Sequence, residues 1–434
     1  MSESRGEGGP TRRSYGPPLE EADLRARIAG QVQVVREQLG EEDVGWDSDD
    51  PADFSYLYRE GKLLVRDRDL DRVRSVVDGE VVDSLVNGVS LFDPRGRGTE
   101  DALQAIDAAL GAGVATPDHV VYVTPTGGCC PASEPEEPGD SPPWPTLPPA
   151  PEGSGRDILV AVVDTGWLPE AAVSTASPWL HGVTGDVEAY DPSSIHHYVG
   201  HGTFVAGVVR SLAPSARVRV EGFLTNGGAV FESELIKQLN DSLVDAPDII
   251  TMSAGTSTRN HYDLLAFQVF WETRLSRLKG TVLLCAAGND GGRGPFWPAA
   301  FPWTISVGAL DQEGLRADFS NFGSWVDVYA PGVDLVNAYA TGTYVAQEPP
   351  HAGERRTFAG RARWSGTSFS TPVVAGLIAA RMNSTGETAR EAADSLLVLA
   401  RAHADPRVGA RLTPDAVAGE LGRSAAGIAG SGRR

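Results

Sequence analysis

The chain has 434 residues, of which 37 are basic and 58 acidic, for a formal net charge of −21, and 41% are apolar. This length accommodates one large domain and one small domain. The negative balance argues against nucleic acid or an anionic membrane surface as partner. With three cysteines (Cys129, Cys130, Cys285), no disulfide framework can be read. Arg12 and Arg13 are followed by no apolar core region, and no run reaches transmembrane length, so a cytoplasmic chain without membrane contact is expected.

Residues 1–53 read as a disordered start followed by one amphipathic helix. The first twenty are rich in Gly, Pro and Arg, and Leu24, Ile28, Val32, Val35 and Leu39 then recur at helical spacing. Residues 54–125 predict a small α+β domain. Extended chain over 56–65 is broken at Glu60-Gly61, and Leu70, Val73, Val76 and Val77 mark a helical face. Extended chain returns over 81–92. Thr99, with Glu100 and Asp101 behind it, opens a second helix, and HVVYVT over 119–124 closes the region as a strand. Residues 126–156 are Pro-rich and acidic without periodicity, an expected extended and exposed linker.

From 157 to 420 the texture changes. Apolar runs at 158–163, 218–223, 249–252, 282–287 and 304–309 alternate with helical or polar segments. Such near-continuous runs predict an α/β domain with a parallel sheet covered by helices on both faces. Residues 421–434 are expected to form a flexible tail. In such sheets functional side chains gather at the carboxyl ends of strands and the helix starts facing them.

Three segments fit that rule. Asp164 follows ILVAVV in the turn DTG, where the end of a buried strand holds a carboxylate rigidly. His201 stands in GHGTFVAGVV, with Val205, Val208 and Val209 marking a helix behind it. Ser368 stands in SGTSFSTP at the start of another apolar helix, where Pro372 is tolerated near the first turn. A serine hydroxyl is a weak nucleophile. It needs an imidazole to take its proton and a carboxylate to orient that imidazole. A helix start also offers free N–H groups to a developing oxyanion. Asn289 in CAAGND is a candidate second oxyanion donor through its side-chain amide.

DTG, HGTxVAG, AAGN and GTSxSxP, with the order Asp–His–Ser, together resemble the subtilisin-like serine peptidases over about 260 residues. The sedolisins share the motif at the serine but use Glu for the histidine and Asp for the oxyanion asparagine, so His201 and Asn289 point away from them. The resemblance implies a serine endopeptidase acting on peptide or protein substrates, with Asp164, His201 and Ser368 as its triad and Asn289 in its oxyanion site. It further implies that Ser253, Ala254 and Gly255 pair with substrate as an added strand. Ala286, Ala287 and Gly288 would form the other wall of the pocket for the residue before the cut. Phe296 either makes that pocket shallow, favouring small side chains, or points into the core.

By pattern alone, residues 54–125 resemble the ferredoxin-like propeptide domain of the same family. On that reading the last strand leads into the cleft and cleavage falls within 126–156, or the domain stays attached as a regulator. Two other readings stand beside a general peptidase: a dedicated processing peptidase kept latent by its N-terminal region, and a catalytically silent fold used for binding. A monomer without cofactor is expected. His196 and His197 lack partners of metal-ligand spacing, so no metal site is expected, and structural calcium is left unassigned.

Overall fold

The computed structural model describes residues 21–50, 52–123, 133–147, 156–224, 227–348 and 351–431. Its first part contains α1 (Glu21–Leu39), β1 (Val44–Trp46), β2 (Leu57–Arg66), α2 (Leu70–Arg74), β3 (Glu80–Val86), β4 (Val89–Asp93), α3 (Thr99–Leu110) and β5 (Ala115–Tyr122). β2, β3, β4 and β5 form an antiparallel sheet in the order β3-β4-β2-β5, with β1 also paired to β2. With one helix between β2 and β3 and another between β4 and β5, this is the split strand–helix–strand arrangement of a ferredoxin-like sheet. One face buries Leu63, Val65 and Phe92 against Val73, Leu103 and Ile106 of α2 and α3.

The second part runs β6 (Leu159–Asp164), α4 (Pro169–Val173), β7 (Val183–Gly185), α5 (His201–Leu212), β8 (Arg217–Gly222), β9 (Ala229–Phe231), α6 (Glu232–Ser242), β10 (Ile249–Met252), α7 (Leu265–Thr273), β11 (Val282–Ala286), β12 (Ile305–Leu310), β13 (Val328–Pro331), β14 (Leu335–Val345), β15 (Arg355–Trp364), α8 (Thr367–Thr385), α9 (Ala389–Ala402) and α10 (Pro414–Ser431). Seven strands form one sheet in the order β13-β12-β11-β10-β6-β8-β7, every pairing parallel. Successive side chains on a strand face opposite sides. Thus Val160 and Val162 of β6 pack with α5, α8 and α9, while Ala161 and Val163 pack with α6 and α7. β14 and β15 form a separate antiparallel hairpin beside α5.

The two parts share structure. β9, just before α6, pairs with β5 and extends the small sheet. That sheet's other face places Leu64, Leu85, Val89 and Leu91 in one apolar cluster with Leu235, Phe267 and Phe270 of α6 and α7. Polar contacts frame this contact. Asp118 accepts hydrogen bonds from the backbone N–H and hydroxyl of Ser233 at the start of α6, at 2.9 and 2.6 Å. Arg66 makes a two-pronged pair with Glu272 at 2.7 and 3.0 Å, and Arg259 reaches Asp107 at 2.6 Å.

Three segments take part in the fold more closely than expected. The helix of the 1–53 segment packs Val32 and Val35 with Leu57, Val120 and Phe231, tying it to both parts. The described stretch of the expected linker, 133–147, is not an exposed spacer. Glu136 pairs with Arg363, Trp144 pairs with Val336, and buried Glu134 accepts a hydrogen bond from Tyr344 at 2.6 Å. Its proline content suits an edge-lying strand segment as well as a free one. Finally, α10 continues to Ser431, into the segment expected to be a tail. Cys129 and Cys130 lie outside the described residues. Cys285 is buried in β11, where desolvation pushes its thiol pKa far up. Among the described residues no helix is long and apolar enough to cross a membrane.

Candidate active site

The carboxyl ends of the central strands assemble the predicted residues. Asp164 is the last residue of β6, Ser253 follows β10, and Ala287 follows β11. Facing them are His201, the first residue of α5, and Ser368, the second of α8. Asp164 and His201 are fully buried, and Asp164 Oδ1 lies 2.7 Å from His201 Nδ1. A second bond, from Thr165 N–H to Asp164 Oδ1 at 2.8 Å, fixes the carboxylate. The glycine after His201 is a steric requirement. A Cβ on Gly202 would fall 2.2 Å from the carbonyl oxygen of Gly166, so only glycine lets α5 begin this close to the Asp164 turn.

With Nδ1 committed to Asp164, the other imidazole nitrogen is the one that can take a proton. His201 Nε2 is buried and has no hydrogen-bond partner among the described residues. Phe369, the residue after Ser368, places its ring centroid 5.2 Å from that of the imidazole. The structure contains no Ser368–His201 hydrogen bond, a contact that often tightens only with substrate present. Phe369 belongs to an aromatic enclosure that composition and spacing did not signal. Trp364 meets the imidazole edge-on at 5.5 Å, and Phe204 packs on Phe369 at 4.5 Å and on Trp364 at 5.8 Å. These rings exclude water from the buried Asp164–His201 pair and strengthen its electrostatics.

Pro372 is the sixth residue of α8, inside the helix rather than in its first turn. Lacking an N–H, it leaves the carbonyl of Ser368 without its usual acceptor role four residues back. Ser253 takes that place, its hydroxyl donating to Ser368 O at 2.8 Å. The strand edge expected to hold substrate is thereby bonded to the nucleophile candidate. Ser368 N–H, near the start of α8, is one of the N–H groups without an intrahelical partner. Asn289 is fixed through Oδ1, which accepts from both the N–H and hydroxyl of Thr367 at 2.8 Å, leaving Nδ2 as the donor end.

The two segments expected to flank the substrate side chain are Ser253–Gly255, which follows β10, and Ala286–Gly288, at the end of β11. Phe296 is buried between them: a Cβ on Gly255 would fall 2.3 Å from its ring, and one on Gly288 3.1 Å away. The ring thus lies against both segments while being buried like a core residue. The expected substrate groove also holds chain. Tyr122 and Gly255 exchange two backbone hydrogen bonds, at 3.0 and 3.1 Å, and Val123 N–H donates to Gly228 O at 2.8 Å. The end of β5 therefore lies antiparallel along the edge predicted to receive substrate.

Glu188 escaped the sequence reading, as a single glutamate in a loop between β7 and α5 carries no motif. It is buried, and its Oε2 accepts the N–H of Gly200, the residue before His201, at 2.8 Å. Burial, with a smaller contribution from Asp164, pushes its pKa up to about 8. His197 sits between Glu134 and Glu348, at 4.0 and 3.7 Å. Among the described residues no three His, Cys, Asp or Glu side chains gather to hold a metal ion.

A profile described as the Subtilase family matches residues 155–412. Thermophilic serine proteinase from Bacillus sp. (strain AK1) is 32% identical over 244 residues, 52% of this chain and 52% of that protein. Subtilisin E from Bacillus subtilis (strain 168) is 32% identical over 242 residues, 52% of this chain and 55% of that protein. The chain thus spans about half the length of these relatives. Thermitase from Thermoactinomyces vulgaris is 32% identical over 250 residues, 55% of this chain and 78% of that protein. Among solved structures, fervidolysin from Fervidobacterium pennivorans, a keratinolytic enzyme related to subtilisin, matches with a TM-score of 0.55 and 20% identity, over 83% of this chain and 61% of its own. At that identity the likeness concerns the fold.

Proposed function

The chain belongs to the subtilase family of serine proteases, and we propose that it is an endopeptidase working through an acyl-enzyme at Ser368, held latent by its own N-terminal region. The observation that carries the catalytic part is the buried 2.7 Å bond between His201 Nδ1 and Asp164 Oδ1, with Nε2 left unpartnered among the described residues. In this reading Ser368 Oγ attacks the scissile carbonyl carbon while its proton passes to His201 Nε2. Asp164 keeps the imidazole in the tautomer with Nδ1–H and stabilises the imidazolium that forms. The carbonyl oxygen gains negative charge and is met by Ser368 N–H and Asn289 Nδ2. Collapse of the tetrahedral species breaks the C–N bond, and the imidazolium proton goes to the departing amine. Water then adds to the ester by the same exchange in reverse, with His201 again as base.

Latency is supported by Tyr122 and Val123, which take up hydrogen-bonding positions on Gly255 and Gly228 that an added substrate strand needs. The apolar contact of the small sheet with α6 and α7 holds them there. Phe296 supports a preference for small side chains before the cut, since its ring fills the space between the two walls. The test is covalent labelling of the full chain with a fluorophosphonate, mapped by mass spectrometry, with Ser368→Ala as control. Label on Ser368 is expected in the wild type and not in Ser368→Ala, and more slowly in the wild type than in Val123→Pro. A folded chain in which neither the wild type nor Val123→Pro labels at Ser368 would overturn the catalytic reading in favour of a silent binding fold.

A further inference from the structure

Two loops carry the Asp164–His201 pair, and side chains tie them together: Gly202 N–H donates to Thr165 Oγ1 at 3.4 Å, Leu168 N–H donates to Thr203 Oγ1 at 2.8 Å, and Glu188 adds a buried carboxyl group from the segment after β7. The segment after β7 runs beside the turn that follows Asp164. Trp167 N–H donates to Asp186 O and Glu188 N–H donates to Trp167 O, both at 2.9 Å, so residues 186–188 lie along that turn as a short parallel ladder. From this fixed backbone the Glu188 side chain reaches the other loop, where its Oε2 accepts the Gly200 N–H at 2.8 Å. Gly200 has φ +81°, and a Cβ there would fall 2.9 Å from the Tyr339 ring, so the loop is closely confined where it hands over to His201. The remaining oxygen of Glu188, Asp164 Oδ2 and the Tyr339 hydroxyl are all buried and lack hydrogen-bond partners among the described residues. A buried carboxyl group spanning two loops, with one oxygen unused, is costly unless the arrangement it enforces is needed.

We propose that Glu188 is a positioning residue for the Asp164–His201 pair, its carboxyl group bracing the turn that carries Asp164 against the loop that carries His201. The inference rests on the reading of those two residues as members of the catalytic triad. Its chemistry asks for an acceptor toward Gly200 and for no second negative charge behind Asp164 at neutral pH. Burial supplies the latter by keeping the group protonated until pH approaches about 8. The titratable groups facing Glu188 are Asp164, Glu170 from α4 and Tyr339 from β14, with His201 one hydrogen bond beyond Asp164. Ionisation of Glu188 adds negative charge near the pair, a change that the His201 Nδ1–H reports. Glutamine, neutral at every pH and still able to accept from Gly200, substitutes for the protonated acid. Alanine leaves the Gly200 N–H buried without its acceptor.

The experiment compares the full chain as wild type, Glu188→Gln and Glu188→Ala. One readout is the low-field proton NMR signal of the His201 Nδ1–H, which needs no access to the cleft. The other is the rate of fluorophosphonate labelling at Ser368. The wild type and Glu188→Gln are expected to show the signal and to label within about threefold of each other, by the ordinary tolerance of an isosteric hydrogen-bond acceptor. Glu188→Ala is expected to broaden or lose the signal and to label about 10- to 100-fold more slowly, the scale of a displacement near 1 Å in a reacting group. Following the signal through pH 8, the wild type is expected to show an inflection that Glu188→Gln lacks, a difference that survives even if Glu188→Ala fails to fold. An alanine variant that labels at the wild-type rate with its signal unmoved overturns the proposal. So does a glutamine variant as impaired as alanine, or one that keeps the inflection. A wild type with neither signal nor label removes the triad reading itself, and this inference with it.

Discussion

Replacing Phe296 by alanine should turn a peptidase for small side chains into one that accepts large apolar ones. The ring is buried against Gly255 and Gly288, which the proposed pocket sets on either side of the side chain before the cut. Removing it opens a space of phenylalanine size, so a peptide with Phe at that position can bury its ring where Phe296 lay. Burying such a side chain is worth about 1.5–3 kcal/mol, or about a 10- to 150-fold gain in kcat/KM for the Phe peptide relative to its Ala counterpart. The variant also loses about 3 kcal/mol of packing, so it must be assayed well below its melting temperature. The assay is kcat/KM for peptides differing only at that residue, expressed as the Phe-to-Ala ratio. Because the β5 end competes equally with both peptides, latency cancels from the ratio. Two results refute the reasoning: a wild type that already cleaves faster after Phe or Tyr than after Ala, or a ratio that Phe296→Ala leaves unchanged.

Val123→Pro removes the N–H given to Gly228 and should loosen the strand in the groove, speeding labelling at Ser368 about 3- to 10-fold, the worth of one backbone hydrogen bond; an unchanged rate would mean that the end of β5 does not restrict access. Asn289→Ala should lower kcat about 100- to 1000-fold with little change in KM, and a loss below about tenfold would remove Asn289 from the oxyanion site. The hold of the N-terminal domain should weaken as pH rises through 7 to 8. Burial lifts Asp118 to about 7 and Glu232 to about 8, so each stabilises the docked form fully below its ordinary value of 3.8 or 4.5 and has lost that contribution once pH passes the raised one. His119, pushed down to about 3 by burial, opposes docking only below its ordinary value of 6.5. The ratio of wild-type to Val123→Pro labelling rates should therefore climb toward one between pH 6.5 and 9, and a flat ratio would count against this linkage.

What the sequence made legible was whatever a short stretch decides by itself. The buried parallel strands read directly because both their faces are apolar, and β6, β8, β10, β11 and β12 lie within a residue of the expected runs. The small domain followed from period and from the helix start at Thr99, where α3 begins. Asp164, His201 and Ser368 stood out because each sits in glycine- or serine-bearing turns that a strand end or helix start requires. Features that depend on distant partners were not legible. β15 alternates buried and more exposed residues while β14 opens with six buried ones, and the hairpin's buried surface is completed by α5 and by residues 133–147, which composition alone presents as linker. β9 is three residues long and becomes a strand only because β5 arrives beside it.

The same division separates the two kinds of residue at the site. Ser368 is marked by its neighbours in sequence, whereas Ser253 is tied to it only because Pro372 frees a carbonyl 115 positions further along the chain. Glu188 likewise gains its meaning from Gly200, twelve residues away across a loop that no periodicity describes. Chemistry that needs a particular atom must be encoded locally, because the turn holding that atom tolerates few residues. Chemistry that needs a particular position can be supplied from anywhere the fold brings close. It follows that substitutions at Asp164, His201 or Ser368 should slow the acyl transfer by about 10⁴-fold or more. Substitutions at Ser253 or Glu188 should instead grade it, in proportion to how far they let the atoms drift.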